Sequence, residues 1–131
     1  MSLAPLLNAS PVIQLHAFAA LAALGLGVVQ LVGVKGSRAH KVLGWGWVVL
    51  MSATALSSWG ITVHNGQGRY SFIHGFSALV MVLLPLAIWA IWRGKVRMHR
   101  RLMLGMFFGG LVITGALTLL PGRIMHQVVF G

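Results

Sequence analysis

Four long apolar stretches constrain the fold of this chain more than any other feature. They cover residues 12–34, 38–63, 71–92 and 100–120. Each is long enough to cross a bilayer, for which a helix needs about 20 residues. Because lipid offers no hydrogen bonds to the backbone, such spans must be helical or closed into a barrel, and their length is that of helices. The sequence therefore predicts an all-α integral membrane protein, an up-down four-helix transmembrane bundle formed by residues 1–131 as a single domain.

Local signals mark where these helices begin and end. Ser10 precedes a proline at the first helical position, and we expect Ser10, Ser37 and Ser71 to serve as N-caps of the first three spans. Pro85 lies inside the third span and is expected to kink that helix without ending it. Pro121 should stop the fourth. The tail that follows alternates polar and apolar residues, which is typical of a short helix in the membrane interface.

The charged residues are all basic, and this excludes several kinds of site. The chain has ten Lys and Arg residues and no Asp, Glu or Cys. Paired-carboxylate catalysis, carboxylate sites for calcium or magnesium and acidic proton relays are therefore impossible within it. Disulfides, iron–sulfur clusters and thiolate chemistry are excluded as well. Histidine remains as the side chain best able to carry chemistry, and no nucleic-acid partner is expected.

The basic residues also predict the orientation. Eight of them flank the first and third loops, against two elsewhere. The eight are Lys35, Arg38, Lys41, Arg93, Lys95, Arg97, Arg100 and Arg101. The positive-inside rule then places these loops in the cytoplasm of a bacterium, the chain in the inner membrane, and both termini on the non-cytoplasmic side. Trp45, Trp47, Trp89 and Trp92 are expected at the cytoplasmic interface, as an aromatic belt.

The two halves of the chain resemble a repeat, over residues 12–66 and 70–128. His16-Ala-Phe-Ala-Ala-Leu matches His74-Gly-Phe-Ser-Ala-Leu, each at the start of an odd-numbered span. His40 follows His16 by 24 residues, and His99 follows His74 by 25. Two hairpins inserted in the same direction predict a pseudo-two-fold axis along the membrane normal.

This symmetry suggests a cofactor. It would place the first and third helices on one diagonal of the bundle and the second and fourth on the other. His16 would then face His74 at the outer end, and His40 would face His99 at the inner end. Two imidazoles that approach from opposite sides suit the axial positions of a haem iron, so one or two b haems are predicted. The arginines expected to bind the haem propionates are Arg38 and Arg100 at the inner pair and Arg69 and Arg123 at the outer pair.

Other interpretations fit the same residues. Small residues at helical spacing also serve ordinary packing, and the basic residues set topology in any case. His64 and His126 are expected to be exposed near the outer surface. Together with His16 and His74 they could instead form a copper or zinc site. The chain could also be a structural or assembly subunit, or a homo-oligomer, whose cationic cytoplasmic rim binds anionic lipid or an acidic partner.

Two resemblances can be named. The relevant segments are Gly36-Ser-Arg-Ala-His40-Lys-Val-Leu-Gly44-Trp, Phe72-Ile-His74, His99-Arg-Arg-Leu-Met and Pro121-Gly-Arg-Ile-Met-His126. They resemble a bacterial family of predicted four-helix membrane proteins of unknown function. The arrangement of histidines resembles the ascorbate-reducible transmembrane cytochromes b, which pair alternate helices around two haems. That resemblance implies electron transfer through bis-histidine haem, with a quinol or a redox protein as partner, and leaves open whether the chain is an oxidoreductase.

Overall fold

The structure is a computed structural model that describes residues 1–64 and 72–131, with side chains for residues 1–60 and 75–131. The described residues form helices and no strands. The helices are α1 (Ala4–Leu7), α2 (Pro11–Val32), α3 (Arg38–His64), α4 (Phe72–Trp92), α5 (Val96–Leu117) and α6 (Ile124–Phe130).

The helices α2 to α5 are long and apolar enough to cross a membrane. The predicted all-α architecture with four candidate transmembrane helices is thus confirmed. The fourth helix differs from its predicted bounds, since it begins at Val96 and ends at Leu117. Within it, Met106–Ile113 is wound as a π-helix, whose wider turn interrupts the regular i→i−4 hydrogen bonds.

The predicted helix signals are present where the structure describes them. The Ser10 side chain accepts a hydrogen bond from the Ile13 backbone N–H at 3.5 Å. The Ser37 hydroxyl accepts one from the backbone N–H of His40 at 3.1 Å. Each caps an N-terminal amide that has no partner within its own helix. Pro85 lies inside α4, which continues past it to Trp92. Ser71 lies outside the described residues.

The four long helices form a closed ring of neighbours. Helix α2 packs against α3 and α5, and α4 packs against the same two helices. This order leaves α2 diagonal to α4, and α3 diagonal to α5. The diagonal relation that the haem hypothesis requires is therefore present in the bundle, whereas the pseudo-two-fold repeat itself remains a prediction.

The two ends of the bundle differ in what they carry. The basic end, as we call it, holds the α2–α3 and α4–α5 loops. The terminal end holds α1 and α6, which pack against each other. There the Ser2 backbone N–H donates to the Val128 carbonyl at 3.0 Å, and Leu6 and Val128 are buried. The predicted short C-terminal helix exists, and it packs on the start of the chain.

A ladder of hydrogen bonds from side chain to backbone joins α2 to α3. Three polar side chains each reach a carbonyl of the opposite helix, at α2 positions 16, 23 and 30. The bonds are His16 Nδ1 to Thr54 O at 2.9 Å, Trp47 Nε1 to Ala23 O at 3.1 Å, and Gln30 Nε2 to His40 O at 2.9 Å. A spacing of seven residues keeps all three on the same seam of an antiparallel pair.

The middle rung of this ladder corrects one expectation. Trp47 was expected in the interfacial belt, but its side chain is only 3 % exposed and points into the bundle. Its indole N–H needs an acceptor when buried, and the Ala23 carbonyl supplies one. Trp45 and Trp92 are exposed near each other, with ring centroids 6.4 Å apart, as belt residues should be.

The core of the bundle lies between the two histidine levels. Its buried members include Trp47, Met51, Leu84, Met106 and Phe107. Gly27 allows the Phe107 ring to approach α2, because a Cβ at that glycine would lie 2.4 Å from the ring. The small face at Gly27 therefore accommodates an aromatic side chain of α5 at mid-bundle.

Candidate functional site

His16 is held at the terminal end by two acceptors on α3. Its Nδ1 lies 2.9 Å from the Thr54 carbonyl oxygen and 3.1 Å from the Ser57 hydroxyl oxygen. A carbonyl can only accept, so Nδ1 must carry the hydrogen. In the neutral ring, Nε2 is then the atom with the free lone pair.

Two more histidines are anchored in the same way. His99 Nδ1 lies 2.8 Å from the Ala87 carbonyl oxygen on α4. His126 Nδ1 lies 2.8 Å from the Leu119 carbonyl oxygen. Each therefore donates through Nδ1, and each neutral ring keeps Nε2 as an acceptor or ligand atom.

This arrangement has a known chemical use. Histidines that bind metal through one ring nitrogen commonly donate the other N–H to a backbone carbonyl, which fixes the tautomer and increases ligand basicity. His16 and His99 have this arrangement, and they come from different predicted pairs. The donor chemistry of these two residues thus fits an axial haem ligand through Nε2.

His40 differs from its proposed partner. Its Nδ1 is buried and has no hydrogen-bond partner among the described residues, while its backbone carbonyl accepts from Gln30. Lys35 and His99 lie near its ring. An unpaired buried polar atom costs free energy, and His40 therefore lacks the carbonyl anchor that His16 and His99 have.

Three predicted site residues lie where the structure gives no side chain. His64 ends α3 and His74 lies in the first turn of α4, so their backbones are helical, but their side chains are outside the described set. Arg69 lies outside the described residues altogether. The pairing of His16 with His74 stays a prediction for this reason.

The copper or zinc alternative is also untested. Within the part of the chain that the structure describes, no three potential metal-ligating side chains come together. Two of the four histidines proposed for that site, His64 and His74, were not part of that set. The prediction of an outer metal site therefore stays a prediction.

Three of the four arginines of the predicted site are exposed at the bundle ends. Arg38 and Arg100 lie near the starts of α3 and α5 at the basic end, and Arg123 precedes α6 at the terminal end. With no Asp or Glu in the chain, none of them can pair with a side-chain carboxylate. Each is therefore available to an external anion such as a propionate.

Sequence reasoning missed the residues that orient the histidines. Thr54 and Ser57 hold His16, and Gln30 holds the backbone of His40. Nearby, the hydroxyls of Ser58 and Ser77 lie 2.5 Å apart and join α3 to α4. The available signal was that Gln30, Thr54 and Ser57 are polar residues inside apolar spans.

Comparison with known proteins adds no assignment. No protein-family model matches the sequence, and no curated protein or solved structure is significantly similar to it. The geometry of the histidines and the order of the helices are therefore the features that bear on function.

Proposed function

We propose that this protein is a b-type cytochrome that transfers electrons within or across a membrane through bis-histidine haem. The observation that carries the proposal is the shared anchoring of His16 and His99. Each donates Nδ1–H to a carbonyl of a neighbouring helix and keeps Nε2 for a metal. Both rings are partly buried, and an imidazole held in this tautomer is the usual state of a haem-ligating histidine.

The helix order supports the proposed pairing. Because α2 and α4 lie on one diagonal and α3 and α5 on the other, residues at matching levels of diagonal helices can approach a cofactor from opposite sides. Nε2 of His16 and His74 would hold one iron near the terminal end. Nε2 of His40 and His99 would hold the other near the basic end.

The chain's own residues have distinct tasks in this scheme. A bound haem supplies reversible one-electron chemistry. The Thr54 carbonyl and the Ser57 hydroxyl hold the His16 ring in one orientation, and the Ala87 carbonyl does the same for His99. Arg38 and Arg100 at the basic end and Arg123 at the terminal end would neutralise propionates, and Arg69 stays a predicted fourth. The core between the two levels, with Met51 and Phe107, excludes water.

The test is a visible spectrum of the purified protein, oxidised and then reduced with dithionite. Protein from haem-replete cells should show a Soret band and a sharp visible band on reduction. His16→Ala should remove one spectral component, because bis-imidazole ligation fails when either ring is lost.

His126→Ala is the matched control. This ring has the same Nδ1 hydrogen bond to a carbonyl, but it lies in the C-terminal helix and is not a proposed ligand. Its substitution should leave the spectrum nearly intact. A colourless wild-type protein would refute the proposal. If His126 or His64 were required and His16 were dispensable, the outer-ligand assignment would be wrong.

A further inference from the structure

The cations at the basic end have no side-chain carboxylate with which to pair. The chain has ten Lys and Arg residues and no Asp or Glu. A cation at a membrane surface is stabilised by an anion, and here that anion must be supplied from outside the side chains of this protein. The two basic loops differ in whether their cations line a concave surface that could hold such an anion.

The first loop uses its lysine to end a helix. Lys35 Nζ donates to the carbonyl oxygens of Gln30, Leu31 and Gly33. These groups belong to the last turn of α2 and its cap, where carbonyls lack partners within the helix. Lys35 is therefore occupied by backbone oxygens. Arg38 and Lys41 remain exposed on the loop and first turn that follow.

The second loop has a groove with cations along it. The groove has a volume of about 650 Å³, and three of its lining residues are Lys95, Arg97 and Arg101. Arg97 and Arg101 are one helical turn apart, so their side chains lie on the same face of α5. Val96, Met98 and Leu102 line the same groove. Cationic groups and apolar side chains are thus combined in one concave surface.

Trp89 places this groove at the level of a membrane interface. Lys95 Nζ lies 4.7 Å from the centre of the Trp89 ring, and the Arg93 guanidinium lies 6.0 Å from it. Trp89 and Trp92 are exposed on the outside of α4. Exposed tryptophan is typical of the headgroup region, and the cation–π contacts orient both cations toward that side.

We propose that this groove, lined by Lys95, Arg97 and Arg101, binds the phosphate headgroup of an anionic phospholipid. The charge complementarity favours a phosphate, and the adjoining apolar residues and exposed tryptophans favour one that carries acyl chains over free phosphate. Basic pockets beside transmembrane helices bind anionic lipid headgroups in this way. The inference is independent of haem binding.

The experiment compares lipids by native mass spectrometry of the full chain in detergent. The probes are phosphatidylglycerol and phosphatidylcholine with identical acyl chains. The wild-type protein should retain phosphatidylglycerol in preference by about 30- to 150-fold, as two or three cations near the surface would give. Arg97→Gln/Arg101→Gln should reduce this preference to about fivefold, which is what one remaining cation would give. Millimolar inorganic phosphate should leave the bound lipid in place.

Lys35→Gln/Lys41→Gln is the matched control, because it also removes two exposed cations from the basic end and neither is a proposed haem-binding residue. It should keep most of the preference. Equal losses in the two double variants would overturn the proposal in favour of diffuse surface charge. Displacement by inorganic phosphate would overturn the lipid assignment. A wild-type protein that showed no preference for phosphatidylglycerol would also overturn the proposal, and that measurement requires no variant.

Discussion

The two hairpins carry histidines in matching sequence positions but are fastened differently. In the α2–α3 hairpin, polar side chains reach opposite carbonyls at three successive levels. In the α4–α5 hairpin, His99 makes such a bond to Ala87. The next positions at the same spacing, Val80 and Met106, are buried apolar residues of the core. Equivalent histidines therefore do not imply equivalent surroundings.

The position ten residues before each inner histidine shows this most clearly. Gln30 precedes His40 by that interval, and Trp89 precedes His99 by it. Gln30 donates across to α3, whereas Trp89 faces outward beneath Lys95. In the α2–α3 hairpin the residue at this position therefore joins the two helices. In the α4–α5 hairpin it belongs to the surface at which we propose that lipid binds.

The largest expected effect is on the visible spectrum. It should come from His40 and His99, through which the two hairpins are proposed to share a haem. His40→Ala and His99→Ala should each abolish the same spectral component, because one iron needs both rings. Reduced-minus-oxidised visible spectra measure this. Loss of two different components would show that the hairpins do not share an iron and that the diagonal pairing is wrong.

The next largest effect should be on the free energy of unfolding, at the contact between α2 of the first hairpin and Phe107 of α5. Gly27→Leu places atoms where Phe107 lies and should cost about 1–3 kcal/mol of unfolding free energy, as overpacking does. Gly25→Leu is the control, because a Cβ there has no heavy atom within 4 Å. Reversible unfolding in mixed micelles, followed by circular dichroism, measures both. Equal costs would contradict the packing described for Phe107.

Removing the middle rung tests whether the ladder stabilises the first hairpin. Trp47→Phe keeps an aromatic ring but leaves the Ala23 carbonyl without its donor, and should cost about 1–2 kcal/mol through the lost bond and the smaller ring. Trp45→Phe, at a residue 52 % exposed, should change stability by less than about 0.5 kcal/mol. A larger loss of stability at Trp45 than at Trp47 would contradict our placing of Trp47 in the core and Trp45 at the surface.

The smallest loss of unfolding free energy should come from the hydrogen bond nearest the basic end, between Gln30 and the His40 carbonyl. Gln30→Leu removes the donor to the His40 carbonyl and should cost about 0.6 kcal/mol, the average for such bonds between membrane helices. Ser52→Ala removes a bond from the Ser52 hydroxyl to the Val48 carbonyl within α3, so it should not loosen the hairpin. Unfolding in the same micelles compares the two. A neutral Gln30→Leu would show that this rung adds no stability.

Much of the fold follows from local sequence. The four spans follow from apolar length, and the caps at Ser10 and Ser37 follow from the preference of hydroxyls for unpaired helical amides. The inward direction of Trp47 does not follow, because an interfacial tryptophan and a core tryptophan have the same local pattern. Nor does the π-helical segment Met106–Ile113, since it depends on how α5 packs against its neighbours.

The candidate site was predictable in its residues but not in its chemistry. The spacing of His16, His40 and His99 identifies candidate ligands. It cannot show that His16 and His99 donate through Nδ1 while the Nδ1 of His40 has no partner. That difference depends on which carbonyl faces each ring across a helix pair, and tertiary packing determines this.

The bond between Ser2 and Val128 brings the two extremities of the bundle within reach of each other. A short linker between them would allow a circular permutation opened at Gly36, in the loop between α2 and α3. Every helix would keep its neighbours, yet the new ends would emerge at the opposite side of the bundle. The direction in which the first helix crosses the bundle could therefore be reversed without changing which helices pack together.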